Sequence, residues 1–218
     1  SFQLGHILNI TISPYQYENS TRIIFGVGAL NEVTNVVPWE NILIVTTSGT
    51  TKRGTTNQLT SLLPNKNITV YDIVDPEPQI VDLEQAANQF EKQQFDCVIG
   101  LGGGSTIDTA KILSCLLGGT TFDLRSHLTK NETLPELQPI PVIAIPTTAG
   151  TGAEVTPFAT IWDRPSGKKH SFATKFLNPN IAILDPVLSL SVSRDVTLTT
   201  GLDAFCQGLE SLWSRQRN

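Results

Sequence analysis

The clearest chemical signal in this sequence is a glycine-rich run, Gly100–Asp108 (GLGGGSTID), between a short apolar segment and a helical pattern. Glycines, which lack a Cβ, let a diphosphate approach the backbone at a strand-to-helix turn. The free N–H groups and the positive dipole at the helix start then attract the anion. We therefore predict a diphosphate site, although the run is neither GxGxxG nor a P-loop. The alternative is a tight turn in which Ser105 caps the helix and Asp108 completes a capping box.

A second polar loop, Pro146–Gly152 (PTTAGTG), also follows an apolar segment. Its threonine hydroxyls can hydrogen-bond ribose, diphosphate or an amide group. Ligands of open parallel sheets bind at the carboxyl ends of the strands, so both loops are expected to line one crevice. Alone, this loop could equally be ordinary surface, but the two loops together favour a dinucleotide crevice.

The choice of dinucleotide depends on the end of a neighbouring strand, where an acidic residue typically accepts hydrogen bonds from the ribose 2′-OH. Here the apolar segment Ile42–Val45 runs into the hydroxyl-rich Thr46–Gly49, with Lys52 and Arg53 shortly after. Hydroxyls in place of a carboxylate, with two cations nearby, favour NADP. The alternative is that both cations merely solvate the first turn of a helix.

The segment Thr200–Gln207 (TGLDAFCQ) places Asp203 and Gln207 four residues apart. On a helix they project from one face, the spacing used when two ligands share a metal. The alternative is that Thr200 caps the helix, Asp203 is its acidic third residue and Gln207 is an ordinary polar helix former. On the residues alone, the second interpretation is favoured.

Neither the histidines nor the cysteines have metal-ligand spacing. We predict that the three histidines lie at the surface or in turns: His6, His127 and His170. The cysteines are odd in number, widely spaced and set in apolar surroundings, which favours reduced core thiols over disulfides. They are Cys97, Cys115 and Cys206.

Short runs rich in Ile and Val alternate with segments of helical spacing, which predicts a parallel, doubly wound α/β sheet. The runs lack alternation and are predicted to be strands buried on both faces: Ile42–Thr46, Ile68–Val74, Cys97–Leu101, Val142–Ile145 and Ile181–Leu184. The predicted helices are Leu30–Val37, Thr51–Leu63, Val81–Gln94 and Ser105–Leu117.

The pattern changes after Pro146. Glu154–Trp162 and Lys169–Phe176 are predicted to form a β-hairpin around the turn Arg164–Gly167. From Pro186 the character is helical, with leucines and a phenylalanine near one broad apolar face. We expect that face to have partners that this sequence does not supply.

Composition excludes several classes of function. The chain has 218 residues and a net charge of −5, and no Lys/Arg stripe could neutralise the phosphates of a nucleic acid. It contains no apolar stretch of about 18 residues, the length of a membrane span, and its first residues lack the basic and apolar regions of a signal peptide. We therefore predict a cytoplasmic protein with no nucleic acid or membrane partner.

Several motifs resemble those of the iron-containing (group III) alcohol dehydrogenase family. They are Phe25–Gly28 (FGVG), Asp75–Pro78 (DPEP), GGGSTIDTAK ending at Lys111, PTTAGTGAEVT ending at Thr156, and AILDP ending at Pro186 followed by GLDAF. The resemblance implies a nicotinamide dinucleotide-binding Rossmann-like α/β domain over residues 1–186. It also implies that residues 187–218 are the first helices of a truncated helical domain for metal and substrate, with a divalent metal, Fe or Zn, in the cleft between the domains.

The resemblance also implies roles for individual residues but assigns no catalytic side chain. The diphosphate contacts fall on Gly103, Gly104 and Ser105, and the ribose and nicotinamide contacts fall on Thr147, Thr148 and Thr151. Lys169 matches a cofactor-contacting lysine, and Thr160 matches a residue lining the same site. The residue that discriminates between cofactors, often Asp in the family, falls on Thr47, which again favours NADP or dual use with NAD.

The chain departs from the family at the metal. Asp203 matches one metal ligand, but Gln207 stands where the family has His, and two further histidine ligands of the family have no counterpart here. We therefore expect weak metal binding. The chain is interpreted either as the N-terminal part of a longer enzyme or as a truncated form. The predicted assembly is a homo-oligomer, a dimer.

The predicted function is an NAD(P)-dependent alcohol dehydrogenase or aldehyde reductase acting on a small aldehyde or primary alcohol. The segment Leu209–Ser214 is similar to the subgroup that reduces phosphonoacetaldehyde, which makes that compound a candidate substrate. The competing class is a non-catalytic NAD(P)-binding chain without a complete metal site. Glycerol dehydrogenase and dehydroquinate synthase types fit the motifs less well.

Overall fold

A computed structural model describes residues 18–214 and contains a six-stranded, all-parallel sheet. The described residues form eight strands in all, which are β1 Arg22–Phe25, β2 Asn41–Val45, β3 Asn67–Tyr71, β4 Cys97–Gly102, β5 Val142–Pro146, β6 Phe158–Asp163, β7 Lys168–Ala173 and β8 Ile181–Leu184. The order in the large sheet is β1-β8-β5-β4-β2-β3, and β6 and β7 form a separate antiparallel pair. The predicted α/β class and the five predicted parallel strands are confirmed. Burial on both faces is wrong for β3, because this strand lies at the edge of the sheet and leaves Val70 40% exposed.

Eight α-helices accompany the strands in the described residues. They are α1 Val33–Val36, α2 Ser48–Lys52, α3 Thr55–Ser61, α4 Ile80–Phe90, α5 Gly104–Leu116, α6 Leu124–Lys130, α7 Pro186–Ser189 and α8 Arg194–Trp213. The single helix predicted over Thr51–Leu63 is wrong, because Gly54 at φ 84° breaks it into α2 and α3. The helix predicted over Leu30–Val37 is a 3-10 turn, Ala29–Glu32, followed by the one-turn α1.

Both faces of the central strands are buried, and successive residues of one strand belong to different cores. Ile42 and Ile44 of β2 pack with Val33 and Leu59 on one face. Leu43 of the same strand joins the opposite core, which includes residues of α4 and α5. Burial on two faces explains why the central strands are continuous apolar runs without alternation.

The predicted hairpin is confirmed, although its strands are shorter than expected. The two strands join through the 3-10 turn Arg164–Ser166 and Gly167 at φ 67°. On the inner face, Ala159, Ile161 and Phe172 pack into a core with residues of α4, α5 and α6. The hairpin is therefore anchored against the same helix, α5, that follows the glycine-rich run.

The last helix differs from the others, because α8 has no buried side chain. It begins after Ser193, whose side chain accepts a hydrogen bond from the Val196 N–H. The predicted cap at Thr200 is therefore wrong: Thr200 lies inside α8 and donates its hydroxyl to the Val196 carbonyl at 2.8 Å. No helix within residues 18–214 is long and apolar enough to cross a membrane.

Candidate cofactor crevice and metal position

The loops that follow β3, β4 and β5 meet at the carboxyl end of the sheet. The Thr147 N–H donates to the Gly102 carbonyl at 2.9 Å, which joins the loop after β5 to the end of β4. The Ser105 hydroxyl donates to the Pro76 carbonyl, which joins the start of α5 to the loop after β3. The two polar loops predicted to share a crevice are thus adjacent.

The glycines of the run serve two different purposes. A Cβ on Gly100 would lie 2.9 Å from the Ala110 Cβ, and one on Gly102 would lie 2.5 Å from the Thr106 Oγ1. These two glycines are required by the close packing of α5 on β4. Gly104 instead meets the other loop, where its Cβ would lie 3.1 Å from the Thr151 Oγ1.

The start of α5 is open to a ligand. Gly103 is the N-cap residue and no side chain caps the helix. The first N–H groups of a helix have no carbonyl partner within it. In α5 the Thr106 and Ile107 N–H groups already donate to the Gly103 carbonyl, which leaves the N–H groups of Gly104 and Ser105 for an anion. The hypothetical Cβ of Gly103 would lie 3.4 Å from the Thr148 Oγ1, so the threonine loop borders this open end.

The predicted capping box is wrong. Ser105 turns to the Pro76 carbonyl instead of capping the helix. Asp108 reaches sideways to the hairpin, where its Oδ2 accepts the Thr160 N–H at 2.9 Å. Both side chains thus form hydrogen bonds with distant parts of the chain, and they do not form the local helix-capping hydrogen bonds that their spacing predicted.

Thr47 caps α2 at the end of β2. Its Oγ1 accepts the Thr50 N–H at 3.2 Å and lies 3.0 Å from the Thr50 Oγ1. The Arg53 guanidinium donates to that Thr50 hydroxyl at 3.2 Å. The alternative that Lys52 and Arg53 solvate a first turn is wrong, since Lys52 is the last residue of α2 and Arg53 follows it.

Thr160 and Lys169 lie on the outer face of the hairpin, opposite the face that joins the core. Thr160 pairs with Ser171, and Lys169 pairs with Trp162, the next outward position along β6. The Lys169 Nζ lies 5.7 Å from the centroid of the Trp162 ring. The two predicted cofactor contacts of the hairpin therefore share one face.

Sequence reasoning missed a buried ion pair one turn into α5. The Lys111 ammonium lies 3.8 Å from the Asp108 carboxylate, and the Lys111 side chain is fully buried. Burial raises the pKa of Asp108 to about 6, against the opposing effect of the Thr160 N–H and Lys111. Burial lowers the pKa of Lys111 to about 8, against the opposing charges of Asp108 and Glu154. The signal in the sequence was a lysine in an otherwise apolar stretch.

A pocket of about 300 Å³ lies beyond the threonine loop, at the carboxyl ends of β5 and β8. Its lining is Phe25, Pro146, Thr148, Ala149, Glu154, Leu184, Asp185, Pro186 and Ser189. Asp185 has a structural role here, because its carboxylate accepts the N–H groups of Leu30 at 3.2 Å and Val187 at 3.1 Å.

The residues that match the family's metal position do not form a metal site. Asp203 and Gln207 are exposed on α8, and the Gln207 amide donates to the Asp203 carboxylate at 3.2 Å. Within residues 18–214, no group of three His, Cys, Asp or Glu side chains could hold a metal ion. One carboxylate and one neutral amide are a poor donor set for iron or zinc.

Two of the predicted locations for histidines and cysteines are corrected. His170 lies in β7 on the inner face, and its buried Nε2 has no hydrogen-bond partner. Cys206 is exposed on α8, whereas Cys97 and Cys115 are buried thiols as predicted. His127 lies in α6, with its Nδ1 2.6 Å from the Glu132 carbonyl, and His6 lies outside the described residues.

The fold and the loops at its carboxyl edge define a Rossmann-like α/β protein, and comparisons with known proteins identify its family. The iron-containing alcohol dehydrogenase family matches residues 20–186. The chain is 35% identical over 189 residues to the probable alcohol dehydrogenase EutG of Salmonella typhimurium, covering 85% of this chain and 47% of that protein. The chain belongs to the iron-containing alcohol dehydrogenase family.

Two further relatives refine the comparison. The phosphonoacetaldehyde reductase of Streptomyces viridochromogenes is 38% identical over 132 residues, covering 59% of this chain and 33% of that protein. The structure of sulfoacetaldehyde reductase from Bifidobacterium kashiwanohense in complex with NAD+ superposes with a TM-score of 0.85 at 28% identity. The superposition covers 93% of this chain and 54% of the sulfoacetaldehyde reductase chain. The chain thus spans about half the length or less of these relatives.

Proposed function

We propose that this chain is the cofactor-binding part of an NAD(P)-dependent alcohol dehydrogenase or aldehyde reductase. The observation that carries the proposal is the open N-terminus of α5 at Gly103–Ser105, bordered by Thr148 and Thr151. A diphosphate there would meet free N–H groups, the helix dipole and threonine hydroxyls. The relative solved in complex with NAD+ supports a dinucleotide as the ligand.

The strand order supports one orientation of the dinucleotide. β4 and α5 lie at the centre, with β2 and Thr47 on one side and β5 and β8 on the other. We assign the adenosine to the β2 side and the nicotinamide to the β5 side, near the pocket lined by Thr148 and Ala149. Thr160 and Lys169 would contact the nicotinamide ribose from the hairpin.

NADP is the proposed preferred cofactor. Thr47 and Thr50 offer hydroxyls where a carboxylate would select the ribose 2′-OH, and the Arg53 guanidinium is already linked to Thr50 at 3.2 Å. A guanidinium forms paired, charge-assisted hydrogen bonds with phosphate oxygens. A 2′-phosphate would therefore be bound by Thr47, Thr50 and Arg53, whereas a free 2′-OH would offer the Arg53 guanidinium no negative charge to pair with.

The proposed reaction transfers a hydride from NADPH to the carbonyl carbon of a small aldehyde while a proton adds to the oxygen, giving a primary alcohol and NADP+. The described side chains bind and orient the cofactor. A divalent metal would polarise the carbonyl as a Lewis acid, and the described residues do not supply a full set of ligands to hold one. Phosphonoacetaldehyde is the proposed substrate to test first, because the Streptomyces relative is named for its reduction.

A second candidate is a chain that binds NAD(P) without reducing an aldehyde. This candidate rests on the exposed, mutually hydrogen-bonded Asp203 and Gln207, which provide no metal site among the described residues, whereas membership of the family favours the enzyme. Parallel assays separate the candidates: NADPH binding by fluorescence, and NADPH oxidation with phosphonoacetaldehyde or butanal, with and without added Fe(II) or Zn(II). Binding with turnover supports the enzyme, and binding without turnover supports the second candidate. Absence of saturable NADPH binding would overturn both.

A further inference from the structure

The buried pair Asp108 and Lys111 makes contacts that point away from the sheet and toward the hairpin. The Lys111 Nζ donates to the carbonyls of Thr156 and Phe158, both at 2.8 Å. The Asp108 Oδ2 accepts the Thr160 N–H at 2.9 Å. Two side chains of α5 therefore hold three backbone groups over the five residues that lead into and begin β6.

Stability alone is a poor explanation for this pair. Removing two charges from water is costly, and a buried ion pair is often replaceable by apolar side chains without loss of stability. The surrounding residues of α5, such as Ile107, Ala110 and Ile112, are apolar and fully packed. A buried pair with directional hydrogen bonds instead specifies geometry, because each bond fixes a distance and an angle.

The geometry that the pair fixes joins two parts of the proposed cofactor site. α5 begins at Gly104, and Asp108 and Lys111 lie about one and two turns further along the same helix. The backbone that they hold carries Thr160, on the outer face that also presents Lys169. Lys169 is close enough to act electrostatically on the Asp108 carboxylate.

We propose that Asp108 and Lys111 are positioning residues that hold the hairpin at a fixed distance from the start of α5, so that Thr160 and Lys169 meet the nicotinamide ribose of a dinucleotide whose diphosphate lies on that helix. This inference rests on the proposed function, because it assumes that the dinucleotide binds at α5. In the proposed orientation, the adenosine lies on the β2 side and the diphosphate lies at the start of α5, away from Thr160 and Lys169. Loss of the pair is therefore expected to weaken the contacts to the nicotinamide ribose and to leave those to the adenosine and the diphosphate in place.

Two ligands test this difference: NADPH, and adenosine 5′-diphosphate, which has the diphosphate but no nicotinamide ribose. In Lys111→Met the side chain stays long and unbranched, although it is one atom shorter, and the ammonium donors are lost. We expect its dissociation constant for NADPH to rise about tenfold and that for adenosine 5′-diphosphate to change less than about twofold, since a tenfold change corresponds to the loss of roughly one or two good contacts. Lys168→Met, at the exposed tip of the hairpin, is the matched control and should change neither constant.

Asp108→Asn keeps the volume and the acceptor for the Thr160 N–H but removes the charge, so it should fold and show a smaller selective loss. It decides the question if Lys111→Met does not fold. An equal weakening of both ligands, or unchanged affinities with a lower thermal midpoint, would reduce the pair to a structural role and overturn the proposal. Failure of the proposed function itself is distinct, because the unmodified chain would then bind neither ligand.

Discussion

The cofactor crevice and the last helix are built in opposite ways. At the crevice, loops from β3, β4 and β5 are joined by hydrogen bonds such as that from Thr147 to Gly102. In α8, no side chain is buried, and Leu202, Phe205 and Leu212 are each at least 60% exposed. The proposed crevice is formed by contacts among the described residues, whereas the predicted metal ligands Asp203 and Gln207 lie exposed on α8 and hydrogen-bond to each other. Cofactor binding can therefore be tested on this chain by itself.

The largest expected effect comes from closing the crevice at Gly104. Gly104→Val would place a branched side chain at the open start of α5 and against Thr151, whose Oγ1 would lie 3.1 Å from the new Cβ. We expect NADPH affinity to fall by at least about 100-fold, because the diphosphate could no longer approach the backbone. Fluorescence titration measures the loss.

The matched control is Gly208→Val in α8, where a Cβ meets no atom within 4 Å. It should leave NADPH affinity unchanged. Equal loss in both variants would show that the substitution acts through general destabilisation, and unchanged affinity in Gly104→Val would remove α5 from the site.

The second prediction concerns pH and the buried carboxyl of Asp108. Its pKa is raised by burial to about 6, above the roughly 3.9 expected in the unfolded chain. The folded state therefore binds more protons over this interval, and the stabilising contribution of the protonated carboxyl is lost as pH rises from about 4 to about 6. Asp108→Asn lacks this titration. The free energy of unfolding of the unmodified chain relative to the variant should fall by on the order of 2 kcal/mol across the interval.

Chemical denaturation at several pH values measures that difference. A relative stability that rises with pH would mean that Lys111 and the Thr160 N–H stabilise the carboxylate more than burial destabilises it. Lys169 acts on this carboxyl in the same direction.

The third prediction tests the adenosine end of the crevice. Thr47→Asp would place a carboxylate beside Thr50 and Arg53, where it accepts a ribose 2′-OH and repels a 2′-phosphate. We expect the preference to shift toward NADH by roughly 1–3 kcal/mol, the range of charge-assisted contacts. Competition titrations with NADH and NADPH measure the shift. A strong preference for NADH in the unmodified chain would contradict the argument from the missing acid.

The smallest effect is expected at the metal position. The dialysed chain should hold well under one Fe or Zn, because Asp203 and Gln207 offer one charged donor. Gln207→His adds an imidazole but leaves the donor set incomplete, so occupancy should rise little. Elemental analysis measures both proteins. One tightly held metal ion per unmodified chain would contradict the conclusion that Asp203 and Gln207 do not form a metal site.

The parts that could be predicted from sequence are those that depend on local pattern. The central strands were recognisable because burial on both faces demands unbroken Val and Ile runs. β1 was not predicted, since this edge strand is only four residues long and leaves Phe25 74% exposed. Ser105 and Asp108 match a helix cap in sequence, but their partners, Pro76 and Thr160, are distant in the chain.

A long-range partner also explains why the role of Lys111 was missed. Lys111 resembles an ordinary helix lysine until the hairpin brings two carbonyls to its ammonium. His170 is predicted to lie at the surface or in a turn because the histidines are scattered and lack metal-ligand spacing, yet strand alternation turns it inward. The division of the chain at residue 186 and the dimer remain predictions.

Amide hydrogen exchange with and without NADPH tests the central claim most directly, because it follows the crevice and α8 in one experiment. NADPH should slow exchange at Gly104 and Ser105 and at residues 148–151, where the open N–H groups and the threonine loop meet. Exchange in α8 should change little. Protection confined to α8, or saturable binding without protection at the start of α5, would contradict the assignment of the crevice.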